Sequence, residues 1–154
     1  MKTATELGIT KAELANLIKV RDLLASNAIE KGTRFSEDKS DAFNMGYSCS
    51  SKDVACGSIM CIGGWMRTFE LGLKPNGYGV YAISGSHADD ITAYVDNAQG
   101  KPIGSLFWPM DEYGDVRLDL TSITPAEAVV AIDNFLRTGN PDWDNAAPRP
   151  ADRS

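Results

Sequence analysis

Cys56-Gly57-Ser58-Ile59-Met60-Cys61-Ile62-Gly63-Gly64-Trp65-Met66-Arg67-Thr68-Phe69 is the stretch whose reading decides the fold. Ile62, Trp65, Met66, Phe69 and Leu73 recur at the three- and four-residue intervals that line one face of an α-helix. The spacing predicts a buried helix that begins at Gly57 or Ser58, where the serine can cap, and ends at Gly72. A glycine in mid-helix costs roughly 1 kcal/mol relative to alanine, so Gly63-Gly64 is expected to admit the close approach of another backbone. This helix should lie at the centre of the core, packed between the first and last helices.

Working toward the N-terminus, Gly32 to Ala55 is polar and broken by Phe35 and by Phe43-Asn44-Met45-Gly46-Tyr47, a cluster expected to pin a long loop to the core. Loops of that length are more often functional than accidental, which makes residues 33–55 a candidate surface for partners. Before it, Thr10-Lys11-Ala12-Glu13 has the form of a capping box, and Leu14, Leu17, Ile18, Arg21 and Leu24 continue it as an amphipathic helix to about Ser26.

Toward the C-terminus, Lys74-Pro75-Asn76-Gly77 reads as a turn and Tyr78 to Ser84 as a short strand. A helix is predicted over 87–97, then a hairpin pairing Leu106-Phe107-Trp108-Pro109 with Val116 to Leu120, the proline confining the first arm to an edge. Thr124, Pro125 and Glu127 open a last helix with Ala128, Val129, Ile132, Phe135 and Leu136 on one face, closed by Gly139. Together these predict a mainly α (α+β) fold: three or four packed helices with a small antiparallel β-sheet, one domain over 1–143 and a flexible tail over 144–154.

At 154 residues the chain can bury a core without disulfides or metal. Met1 to Thr10 is polar, no apolar run approaches the roughly 20 residues that span a bilayer, and three cysteines leave an odd thiol, so a reducing cytoplasm is expected and no membrane partner. The net charge of −6 is uneven: residues 87–154 hold twelve Asp/Glu against five Lys/Arg. Such a surface repels phosphates and excludes direct nucleic-acid binding, while it suits a basic protein partner.

The order Phe43-Asn44-Met45, Cys56-Gly57-Ser58, Cys61-Ile62-Gly63-Gly64-Trp65, Leu106-Phe107, Ile123-Thr124-Pro125 and Thr138 to Trp143 resembles a family of small uncharacterised bacterial, phage and plasmid proteins with a Cys-Gly-Thr-x-x-Cys-Ile-Ala-Gly-Trp type segment. The likeness covers roughly residues 10–143 and implies the fold and a mobile-element setting, with no established activity to carry over. The chain departs from that pattern in Ser58 for threonine, Gly63 for alanine, and a longer, more strand-like stretch from Gly77 to Gly104.

Cys56 is the sharpest chemical suspect, because a thiol at a helix N-terminus meets the positive end of the helix dipole and ionises more readily. His87, the single histidine, would then be its base, with Asp53 or Asp89 orienting the imidazole. The plainer reading, and the favoured one, makes Cys56 part of the helix start and Cys61 a small buried hydrophobe. Cys49, Cys56, Cys61 and His87 have the chemistry of zinc ligands but lack close Cys-x2-Cys pairs, and no cofactor motif is present, so no metal or cofactor is expected.

Trp65 reads as core. Trp108 and Trp143 read equally as clamps onto the domain or as exposed anchors for a protein. Asp111, Glu112, Asp115 and Asp119, interleaved with Tyr113, form a solvated face or a contact patch. The function expected is therefore a non-enzymatic protein-binding module of phage or mobile-element type acting through Trp108, Asp111, Glu112, Tyr113, Asp115 and Trp143, such as an inhibitor of a host defence nuclease. The alternative is a thiol-dependent enzyme using Cys56 and His87.

Overall fold

The computed structural model describes residues 1–32, 42–47, 50–51, 58–72, 85–111 and 113–149. Helix α1 (Ala4–Leu7) and helix α2 (Lys11–Ala25) each start on a complete capping box. In α2 the Thr10 hydroxyl accepts from the Glu13 N–H at 3.0 Å, while Glu13 Oε2 accepts from the Thr10 N–H at 2.8 Å. Two orphan donors at the helix end are thereby satisfied. Four strands of two or three residues follow: β1 (Glu30–Lys31), β2 (Ala42–Phe43), β3 (Ser50–Ser51) and β4 (Ser58–Met60). Helix α3 (Ile62–Glu70), helix α4 (Gly85–Asn97), the single turn α5 (Gly104–Phe107), a 3-10 turn at Leu120–Ser122, helix α6 (Pro125–Thr138) and the single turn α7 (Trp143–Ala146) complete the described elements.

The fold is mainly α with a small sheet, as expected, but the sheet is not antiparallel. Its order is β1-β2-β4-β3, with β1 parallel to β2 and β2 parallel to β4; only β3 runs antiparallel to β4. The register pairs Phe43 with both Lys31 and Met60. Strand β1 precedes the segment read as a loop, β2 and β3 arise inside it, and β4 is Ser58-Ile59-Met60, read as the first turn of the central helix. Pairing with β2 holds Met60 extended, and the helix starts only after Cys61, whose N–H donates to the Tyr47 carbonyl at 2.7 Å.

Leu106-Phe107 belongs to a helical turn rather than to a strand, and the predicted hairpin contracts to a single antiparallel bridge between Met110 and Val116. Regular structure also runs past Trp143, where the tail was expected to start: α7 continues to Ala146, and Ala146 and Ala147 are buried. The turn expected at 74–77 and the strand at 78–84 lie outside the described residues.

Helix α3 is central, as expected, with six of its nine residues buried, but it does not sit between the first and last helices: it packs on α2, α4, α5 and β4, and it is α2 that packs on both α3 and α6. Leu17, Val20 and Leu24 are fully buried on α2, and Leu14, Ile18 and Leu23 extend its apolar face onto its neighbours. Trp65 stands at the junction of helices and sheet, wholly buried, with its indole N–H donating to the Ala42 carbonyl at 3.3 Å. Phe43-Asn44-Met45 is the pin the sequence suggested. Phe43 and Met45 enter the core, and buried Asn44 donates to the Gly32 carbonyl at 2.8 Å and accepts from the Gly46 N–H at 2.9 Å.

Candidate functional site

Residues 105–111 and 113–119 are tied to α7 by the hydrogen bonds of Trp143 to Ser105 and of Arg117 to Trp143, and they carry most of the expected binding residues. Pro109 and Arg117 close the neck of a short hairpin, the Arg117 N–H donating to the Pro109 carbonyl at 2.9 Å. Asp111 builds its turn: the carboxylate oxygen Oδ1 accepts from the N–H groups of Tyr113 and Asp115 at 2.9 and 3.0 Å, and its own N–H donates to the Asp115 carbonyl at 2.7 Å. Asp111 therefore shapes the surface, whereas Tyr113 and Asp115 project from it into solvent. Glu112 lies outside the described residues.

Arg117 anchors the hairpin from below. It is 2% exposed, forms a two-pronged ion pair with Asp119 at 2.9 and 2.7 Å, and donates to the carbonyls of Trp143 and Ala147 at 3.3 and 2.9 Å. The guanidinium holds the Asp119 carboxyl below the usual carboxylate range. Asp119 thus belongs to the anchor and not to the acidic contact face on which the sequence placed it.

Trp108 and Trp143 are brought to one open cleft of about 230 Å³ whose lining includes Met110, Pro141, Asp142 and Asp144. Both indoles are clamped by their N–H groups: Trp108 donates to the Val95 carbonyl at 3.1 Å and Trp143 to the Ser105 carbonyl at 2.9 Å. Trp143 is buried and Trp108 half-buried, so both clamp the domain while presenting part of a ring to the cleft.

A second cleft, of about 370 Å³, opens between α2, α3 and α4, and no local pattern announces it. Arg67 pairs with Asp90 at 2.6 Å and Glu70 at 2.8 Å and lies over the Tyr94 ring, 5.7 Å from its centre. The Tyr94 hydroxyl donates to Glu13 Oε1 at 3.1 Å; burial, reinforced by Glu13, pushes its ionisation up. Three of these groups sit on three different helices, so no local spacing could have joined them. The Arg67 ion pairs and the Tyr94 bond to Glu13 tie α2, α3 and α4 together across the cleft, which makes it a brace between helices.

His87 lies in the first turn of α4, half-buried, and its Nδ1 is buried without a hydrogen-bond partner among the described residues. Asp89 is exposed beside it. Cys49, Asp53 and Cys56 lie outside the described residues. Cys61 is the buried hydrophobe of the plainer reading, its thiol pushed up by burial. Among the described residues no group of three His, Cys, Asp or Glu is placed to hold a metal ion, and no helix is long and apolar enough to cross a membrane.

What fold and site define together is a small mainly helical domain with a projecting hairpin beside a tryptophan-lined cleft. Comparison with protein-family models, with curated proteins and with solved structures finds no match to the chain in any of the three.

Proposed function

We propose that the protein is a non-enzymatic protein-binding module whose contact surface is the hairpin from Met110 to Leu118. One observation carries this reading. Of the five large apolar side chains exposed among the described residues, three stand on this segment: Met110 at 48%, Tyr113 at 82% and Leu118 at 103%. Single exposed apolar residues are ordinary, but a group on one braced projection forgoes several kcal/mol of possible burial. Tyrosine and methionine are also the residue types enriched where protein surfaces meet.

Charge narrows the partner. Asp111 and Asp115 flank Tyr113, and the second half of the chain is strongly acidic, so the surface favours a basic partner both in encounter and in orientation. The nucleic-acid cleft of a host defence nuclease is such a surface, and the reading places the protein in the cytoplasm of a cell carrying a phage or plasmid. The test compares partner capture by the wild type with that by Tyr113→Ala and Leu118→Ser. Both side chains are exposed, so each variant should keep its stability to within about 0.5 kcal/mol. Loss of a captured basic protein from both is expected; an unchanged set of captured proteins overturns the reading.

A further inference from the structure

We infer that the cleft between Trp108 and Trp143 seats a lysine or arginine side chain supplied by the partner of the hairpin; the inference rests on the protein-binding reading above. At about 230 Å³ the cleft falls below the roughly 300–1,000 Å³ of small-molecule pockets, which suits one side chain rather than a free cofactor. Met110 belongs both to its lining and to the exposed hairpin, so the two surfaces are continuous.

The chemistry of the lining selects the occupant. Both indole N–H groups are spent on the carbonyls of Val95 and Ser105, so the tryptophans offer rings and no donor. Among the described residues of the lining the charged ones are Asp142 and Asp144, with no lysine or arginine. Asp142 takes two hydrogen bonds from the Asn145 amide at 2.9 and 2.8 Å, which orient its carboxylate. Buried Arg117 senses Asp144, but it is matched by Asp119 and by the carbonyls of Trp143 and Ala147. An anionic occupant would meet two carboxylates, and an apolar one would desolvate them without return. A basic side chain answers both features, its alkyl stem against the rings and its charge near the carboxylates.

The cleft is also organised before anything enters it. Asn134 holds the Pro141 carbonyl at 3.0 Å, and Arg117 holds that of Trp143 at 3.3 Å. Little ordering remains to be done on binding.

The full chain, labelled with nitrogen-15, reports on this directly through the indole signals of Trp65, Trp108 and Trp143. It is titrated with N-acetyl-arginine methylamide, N-acetyl-lysine methylamide and N-acetyl-citrulline methylamide, the last close in shape to the arginine probe and uncharged. Saturable movement of the Trp108 and Trp143 signals with a basic probe, a still Trp65 signal and no response to citrulline are expected. The tighter of the two basic probes identifies the side chain. In Asp142→Asn/Asp144→Asn, which removes both charges and leaves the rings and the left-handed turn at Asp142 in place, binding should weaken about fivefold. Equal binding of citrulline, absence of a saturable shift, or full affinity in the double variant overturns the inference. If the titration fails while capture still depends on Tyr113 and Leu118, the cleft inference falls alone. If the titration succeeds while capture ignores those residues, the hairpin reading falls, and with it the claimed source of the side chain.

Discussion

At Arg117 the chain places a full positive charge where 2% of the residue meets solvent, and Asp119 is what makes that tolerable. Removing one member of a buried pair leaves the other charge unmatched, so Asp119→Asn should destabilise the fold by about 3 kcal/mol in a denaturant titration. The pH dependence has a definite sign. The folded-state carboxyl titrates below the roughly 3.9 of an unfolded aspartate, so its contribution is complete above that value and is lost as pH falls through the lower, folded one. Between pH 5 and pH 2 the wild type should therefore lose more stability than Asp119→Asn; parallel curves would show that the pair contributes nothing. Cys61 makes a second residue-scale case. With its thiol buried and its ionisation pushed up, peptide mapping after alkylation at neutral pH should find Cys61 unlabelled until denaturant is added. Fast labelling confined to Cys56 in the same experiment would favour the thiol-enzyme reading over the binding one.

At the scale of elements, the pair Gly63-Gly64 was read as room for a neighbouring backbone, and at Gly63 the neighbour is instead an aromatic ring. A Cβ at Gly63 would stand 2.8 Å from Phe107 Cδ2, and Phe107 is itself 1% exposed with nowhere to move. Gly63→Ala gains roughly 1 kcal/mol of helix propensity but meets an overpacking cost of about 1–3 kcal/mol, so a net loss of up to about 2 kcal/mol is expected. Phe107→Leu should cost less in the Gly63→Ala background than alone; strict additivity in that double-mutant cycle would mean the two do not meet. Helices were legible wherever the signal was local. Thr10/Glu13 and Thr124/Glu127 are capping boxes in sequence and in structure, and Thr3/Glu6 is a third that opens α1 and was there to be read. Strands of two or three residues carry no alternation to read, and the extended state of Met60 depends on Phe43, seventeen positions away in the chain. The helical turn at Leu106-Phe107 was hidden for the same reason: two large apolar residues before a proline suit either state, and packing against α3 and α6 decided it.

For the whole molecule, the acidic bias of residues 87–154 was visible in the sequence, and so were Tyr113, Trp108 and Trp143; what no local pattern carried was their division of labour. Asp111 folds the turn and Asp119 pairs with Arg117 through contacts two to four residues apart, but that Arg117 is buried, and that both tryptophans are half fastened to the interior, depends on contacts such as Arg117 to Ala147 or Trp143 to Ser105 that span many positions. The surface left for a partner combines exposed apolar side chains at Met110, Tyr113 and Leu118 with carboxylates at Asp115, Asp142 and Asp144. These two components respond differently to salt. Exposed charges more than about 8–10 Å apart are screened at physiological ionic strength, and at 1 M the screening length falls to about 3 Å, while burial of apolar side chains is not weakened. Raising sodium chloride from 0.05 to 0.5 M should therefore slow association with the captured partner by about tenfold or more and leave dissociation much less affected. Leu118→Ser should do the reverse, raising the dissociation rate with the salt dependence of association retained. Surface-plasmon-resonance kinetics of the two proteins across that salt range separate the contributions. Association indifferent to salt would mean that the acidic bias plays no part in finding the partner, and the hairpin would then act through its apolar side chains alone.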